Sequence, residues 1–224
     1  MRKLVSWGAG NMRQFPWRKR RAAYRVLLAE KLLQQTAART AVVEAYRQLI
    51  AYCPTPAYLA CADVRKLEKI VRPLGFVYRA NELKRLGKAL TVVHNGRVPD
   101  DLRRLLDLPG VGQYAARAVL SFAFEQRVPI VDNNVARFLH RFFGIRSPIP
   151  ANPARSSALL KLAADIMPPG KSSAFNFALL DLCAAICTPN APKCEICPLR
   201  SACFTGQLRL STKRTTLQPT RTLA

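Results

Sequence analysis

Leu108-Pro109-Gly110-Val111-Gly112-Gln113-Tyr114, followed by Val131-Asp132-Asn133-Asn134-Val135, is the stretch that decides the fold. Pro109 and Gly110 stop a short helix that runs to Leu106 and that Asp100 is placed to cap. The Ala-rich segment Tyr114 to Phe124 starts a new helix almost at once. Leu105, Leu106 and Leu108 before the glycines, and Ala115, Ala118, Val119 and Phe122 after them, make this a packed helix–hairpin–helix. Gly-x-Gly alone reads equally well as an ordinary helix–helix turn; the apolar flanks shift the reading. Gly110 and Gly112 permit backbone angles closed to other residues. With no side chains in the way, N–H groups at Gly110, Val111 and Gly112 can face a phosphate, and the next helix N-terminus adds positive potential.

The charge balance supports a polyanion partner. The chain has 224 residues, with 36 Lys and Arg against 13 Asp and Glu, a formal net charge of +23. Cations that contact phosphates release condensed counterions, which favours nucleic acid. An acidic membrane surface is the rival, and a merely basic protein is the bland alternative. No segment approaches the ~20 apolar residues of a membrane span. The N-terminus lacks a long apolar stretch of the secretory type. Half the residues are hydrophobic, enough for one large domain or two small ones.

Asp132 follows the apolar run Val128-Pro-Ile-Val131 and precedes a helical stretch, which is an N-cap position. Taken alone, it is a capping aspartate. It lies 20 residues beyond Gly112, however, so one helix and a short connector can return it beside a bound phosphate. An ionised carboxylate near a sugar C1′ can stabilise oxocarbenium charge and orient water, as glycosidic cleavage requires. Glu30 interrupts the apolar helix Leu28-Ala-Glu-Lys-Leu-Leu-Gln-Gln-Thr36. It is either a surface acid paired with Lys31 or a nearby arginine, or a partly buried acid that engages a leaving base. Gln34 and Gln35 end that helix, and amides of this kind can fill the gap left by an extruded nucleotide. Two carboxylates in different surroundings allow acid and anion roles to separate.

Cys187, Cys194, Cys197 and Cys203 have the spacing Cys-x6-Cys-x2-Cys-x5-Cys. Four thiolates within 17 residues can wrap a [4Fe–4S] cube. A zinc site is the alternative, although zinc ribbons usually carry two Cys-x2-Cys pairs and only one occurs here. Such a cluster of cysteines points to a reducing compartment. Cys53, Cys61 and Cys183 show no pattern and read as core residues.

The rest of the chain is also read as helical. Ala22, Val26, Ala29 and Leu33 share one face, and helices are expected over Ala41–Ile50, Asn81–His94, Asn133–Phe143 and Ser156–Ile166. Prolines and glycines punctuate the joints, and no strand pair or repeat is visible. Residues 205–224 are polar and threonine-rich and read as a flexible tail.

These motifs resemble the helix–hairpin–helix DNA glycosylases of the endonuclease III superfamily. The resemblance runs from Phe15 to Cys203. It is carried by Phe15-Pro-Trp-Arg18, Ala29-Glu-Lys-Leu-Leu-Gln-Gln-Thr36, the Leu108–Tyr114 hairpin, Val131-Asp-Asn-Asn-Val135 and the four cysteines. It implies an all-α fold of two helical lobes with the active site in the cleft between. Residues 22–130 would form a helical barrel bearing the hairpin; residues 1–21 and 131–204 would form a second lobe with the [4Fe–4S] cluster on the four cysteines. Double-stranded DNA with a mismatched or damaged base is the implied partner, bound by a monomer inside the cell (in a prokaryote, cytoplasmic and nucleoid-associated). Asp132 and Glu30 are the implied catalytic carboxylates, with Arg18, Lys19, Arg20, Arg21, Arg137 and Arg141 as phosphate contacts.

Bifunctional members carry a lysine two residues after the second hairpin glycine. Tyr114 stands at that position here, which implies a monofunctional enzyme without strong AP-lyase activity and makes Tyr114 a pocket residue. Tyrosine there is similar to enzymes that remove thymine or uracil opposite guanine. Leu33-Gln-Gln-Thr36 is similar instead to adenine-mismatch enzymes acting on A:G or A:8-oxoguanine. An endonuclease III-like lyase and a non-catalytic DNA-binding module are further alternatives. Tyr114 argues against the first, and the presence of both Glu30 and Asp132 argues against the second.

Overall fold

A computed structural model describes residues 1–34, 36 and 40–215, with side chains to residue 209. Among the described residues every regular element is helical. The first five α-helices are α1 (Arg2–Asn11), α2 (Pro16–Lys19), α3 (Ala23–Leu33), α4 (Thr40–Tyr52) and α5 (Pro56–Cys61). The next four are α6 (Val64–Val71), α7 (Arg79–Val93), α8 (Leu102–Leu106) and α9 (Gln113–Phe124). Then come α10 (Asn133–Phe143), α11 (Ser157–Asp165), α12 (Ser172–Ala185) and α13 (Phe204–Thr215). No helix among the described residues is long and apolar enough to cross a membrane.

The chain divides into two units. One is Gln14–Val128; the other combines Met1–Arg13 with the chain from Pro129 on. The first unit therefore begins earlier than residue 22. Trp17 explains why: it is buried, stacks on Phe15 at 4.8 Å and meets Tyr46 of α4 edge-on at 5.2 Å. Leucines dominate this core, including Leu27, Leu28, Leu49, Leu59, Leu83 and Leu86, and α3 packs on α9. Side-chain caps set several helix starts. Asp63 accepts the Lys66 N–H at 3.0 Å, and Asp101 accepts the Arg104 N–H at 2.9 Å. The cap of α8 is thus Asp101, not Asp100. The Asp101 carboxylate sits three residues before the N–H it accepts, whereas the Asp100 carbonyl receives Gln126 Nε2 at 2.6 Å.

The second unit is built on α10, α11, α12 and α1. Phe138, Leu139, Leu159, Phe175 and Leu179 fill its core, with Leu4 of α1. Gly8 lets α1 approach α12 closely, since a Cβ there would sit 2.5 Å from that of Ala178. At the end of α1, Arg13 anchors to the buried Asp181 twice: its N–H donates to Oδ2 at 3.0 Å and its Nε to Oδ1 at 2.5 Å. The expected flexible tail begins instead as α13. Thr205 Oγ1 donates to the Arg141 carbonyl at 3.0 Å and Gln207 Nε2 to that of Ser201 at 2.7 Å, which ties its first turn down. Cys53 and Cys183 are core residues as expected, but Cys61 is exposed at the end of α5.

Arg13→Ala removes the charge-assisted bond to Asp181 while leaving the carboxylate buried. Because the Arg13 side chain is 41% exposed, the expected loss is about 1–2 kcal/mol. Urea unfolding of the two proteins measures it, and an unchanged midpoint would show that the pair contributes nothing.

Candidate active site

In the Gln14–Val128 unit the hairpin and α3 converge. Gly110 has φ +67, so its glycine is needed for backbone geometry. Gly112 is not in the left-handed region: its φ is −97 and ψ 177, an extended conformation open to any residue. The sequence reading of Gly112 is corrected on this point. Its contribution is space, because nothing lies within 4 Å of where its Cβ would be. Gly112 is also the N-cap of α9 and has no side chain to cap it. The first N–H groups of a helix have no intrahelical partner, so this end is suited to an anion. Leu108 and Val111 are buried, and the Val111 N–H closes the turn onto the Leu108 carbonyl at 3.1 Å. Tyr114 is half-buried in the first turn of α9.

Glu30 lies in α3 and is buried, 6% exposed, with apolar neighbours Leu27, Leu28 and Ala29 along the helix. It is not a surface acid. The adjacent Lys31 is also buried, and its ammonium pairs with Glu82 of α7 at 2.9 Å. Its Nζ also donates to the Gly110 carbonyl at 2.7 Å and to Gln34 Oε1 at 3.1 Å. Burial lowers the Lys31 pKa below the usual lysine value; Glu82 pulls it back, while Arg79 and Arg85 push it further down. Gln34 Nε2 donates to the same Gly110 carbonyl at 3.0 Å, so one end of its amide is held by the hairpin and the other by Lys31. Gln35 lies outside the described residues. Arg79, buried, donates from NH1 to the Leu32 carbonyl at 3.1 Å and from NH2 to the Gln34 carbonyl, and it stacks over Phe76. Sequence reasoning missed Lys31, Glu82 and Arg79 as a group. The available signal was a lysine in the middle of an otherwise apolar helix.

In the other unit Asp132 is the N-cap of α10, as read from the sequence. Its Oδ1 accepts the Val135 N–H at 2.7 Å and its Oδ2 accepts Asn134 Nδ2 at 3.0 Å. Asn134 Oδ1 accepts from Arg137 NH1 at 3.0 Å, and Arg137 NH2 donates to the Cys187 carbonyl at 2.8 Å and the Cys183 carbonyl at 3.3 Å. Arg137, expected to contact phosphate, is engaged here with the carbonyls of Cys183 and Cys187. Arg141, one turn on, is engaged likewise: it donates to the carbonyls of Thr188 at 2.6 Å and Pro189 at 2.5 Å. Of the N-terminal cations, Arg18 sits over the Phe15 ring and Arg21 pairs with Glu125, while Lys19 and Arg20 are exposed.

Cys187, Cys194, Cys197 and Cys203 line one cavity, with Phe138, Arg141, Ile186 and Leu199 on its wall. Burial pushes the Cys197 and Cys203 thiols up, and the other cysteines of the set push them further. Four such thiolates need a cationic centre to coexist. Among the described residues no three His, Cys, Asp or Glu side chains converge where a single ion would sit.

The chain is similar to known proteins over most of its length. Residues 28–162 match the model of the HhH-GPD superfamily base excision DNA repair proteins. A thymine/uracil-DNA glycosylase of Pyrobaculum aerophilum is 39% identical over 190 residues, covering 84% of this chain and 82% of that protein. The adenine DNA glycosylase of Rattus norvegicus is 36% identical over 94% of this chain, which spans 43% of that longer protein. A solved thermostable thymine-DNA glycosylase superposes with a TM-score of 0.85 at 33% identity, covering 92% of this chain and 94% of that one.

The two hairpin glycines should separate by experiment. Gly110→Ala forces a side chain into a left-handed position and against Glu82 Oε2, 2.8 Å away, at a cost of about 2 kcal/mol or more. Gly112→Ala should cost less than about 0.5 kcal/mol, as exposed substitutions do. Thermal unfolding of both variants tests this, and equal losses would contradict the assignment.

Proposed function

We propose, for a chain that belongs to the HhH-GPD superfamily of base excision DNA repair proteins, that it is a monofunctional DNA glycosylase that removes thymine or uracil mispaired with guanine. The observation that carries this is Tyr114, two residues past Gly112 in the first turn of α9, where an amine would be required for strand cleavage through a Schiff base. Similarity to a thymine/uracil-DNA glycosylase over 84% of this chain supports the choice of base. The adenine reading is kept as a second one, because Leu33-Gln-Gln-Thr36 and the rat adenine DNA glycosylase favour it.

Each residue has a part in this reading. The amides at the start of α9, with Gly112 leaving room, hold a backbone phosphate of double-stranded DNA. The mispaired nucleotide is extruded, which a mismatch makes cheaper than a good pair. The C1′–N bond breaks and its electron pair leaves with the base. Glu30 supplies a proton or hydrogen bond to that base. Asp132, fixed by two donors, stabilises the positive sugar, and water adds its oxygen to C1′ while giving up a proton that makes good the one the base has taken. The products are a free base and an abasic site.

The donor set also fits a [4Fe–4S] cluster. Four thiols around one cavity, with a single Cys-x2-Cys pair among them, suit a polynuclear group better than a zinc ribbon, which usually carries two such pairs. Cys187, Cys194, Cys197 and Cys203 would hold it, and when bound it supplies a rigid cross-link for the loop.

A single-turnover assay on duplexes carrying T:G, U:G, A:G and A:8-oxoguanine, read with and without alkali, tests the substrate. Cleavage of T:G and U:G only after alkali is expected, and Asp132→Asn should slow it about a thousandfold. Cleavage confined to the adenine strand would select the second reading, and cleavage without alkali would refute the monofunctional assignment. Metal analysis of the purified protein should find about four irons per chain with matching sulfide; zinc in their place would refute the cluster.

A further inference from the structure

We infer that Lys31 is a positioning residue that sets the register of the DNA-gripping hairpin on the helix that carries Glu30; this rests on the glycosylase reading above. The ammonium has three protons, and three acceptors surround it: Glu82 Oε2, the Gly110 carbonyl and Gln34 Oε1. Its side chain is 1% exposed, while that of its partner Glu82 is 23% exposed. The Gly110 carbonyl and the Val111 N–H belong to one planar peptide. Lys31 holds the first at 2.7 Å and the Leu108 carbonyl holds the second at 3.1 Å, so the plane is fixed from both sides. That plane delivers the chain to Gly112 and the start of α9.

Gly110 is constrained from the same direction. A Cβ there would collide with Lys31 Nζ and lie 2.8 Å from Glu82 Oε2, so the ion pair fills the space that glycine leaves. Glu30 and Lys31 are consecutive residues of one helix. The acid and the anchor of the phosphate grip are therefore joined by a single rigid peptide unit. Buried ion pairs contribute little to net stability and are often replaced by apolar residues without loss. This pair is not placed to add stability; its geometry serves the hairpin. A misplacement of about 1 Å can cost about a hundredfold in rate.

The double variant Lys31→Met with Glu82→Leu separates positioning from simple charge compensation, and Lys31→Met alone is its control. The single variant leaves Glu82 without its cation and should lower the unfolding midpoint. The double variant should regain the wild-type midpoint within a few degrees. Its single-turnover excision rate, at saturating enzyme on whichever mismatched duplex the wild type cleaves, should stay at least tenfold down. Amide hydrogen exchange over residues 108–116 should be at least tenfold faster than wild type, with no change over α10. A double variant that excises within about twofold of wild type, or whose hairpin exchanges at the wild-type rate, would overturn the assignment. If the wild type releases no base from any duplex, the glycosylase reading fails, and the exchange measurement still decides whether Lys31 fixes the hairpin.

Discussion

With 36 cationic side chains against 13 acidic ones, most cations of this chain have no carboxylate to pair with one to one. Several of them take main-chain carbonyls instead. Arg79 takes those of Leu32 and Gln34, Lys31 that of Gly110, Arg137 those of Cys183 and Cys187, and Arg141 those of Thr188 and Pro189. Carbonyls available for this role lie where helices end and loops begin, because within a helix they are already used. Cations satisfied in this way therefore become fasteners for loops. The loops fastened are the end of the Glu30 helix, the hairpin and the cysteine loop. A guanidinium suits this use, since its fork of donors reaches two carbonyls at once and it stays charged when partly buried.

The same constraint explains what the sequence did and did not disclose. Helix positions followed from apolar spacing and punctuation: α10 runs from Asn133 to Phe143 as read, and α9 begins one residue earlier than expected. Asp132 was legible as an N-cap because capping is local and involves the N–H three residues on. The same rule misplaced the cap of α8 by one residue, since Asp100 and Asp101 are chemically alike and only the backbone path tells them apart. The carbonyl partner of Arg137 at Cys187, 50 residues away, left no mark on the sequence around Arg137. Lys31 was passed over for the related reason that Glu82 is 51 residues distant in sequence. Contacts of long separation leave no periodic signal, so loop-fastening cations are the least readable part of such a chain.

The two carboxylates show how local surroundings divide chemistry between identical groups. Asp132 is half-buried and placed outside its helix, at the one position whose side chain faces unpaired N–H groups. Two donors, the Val135 N–H and Asn134 Nδ2, fix its orientation. Glu30 lies within a helix and is buried beside Leu27, Leu28 and Ala29. The proposed reaction, which calls for a group at the departing base and a negative charge near the sugar, would draw on this difference in surroundings. The difference follows from position in the helix, at its cap or in its interior, rather than from any difference between aspartate and glutamate.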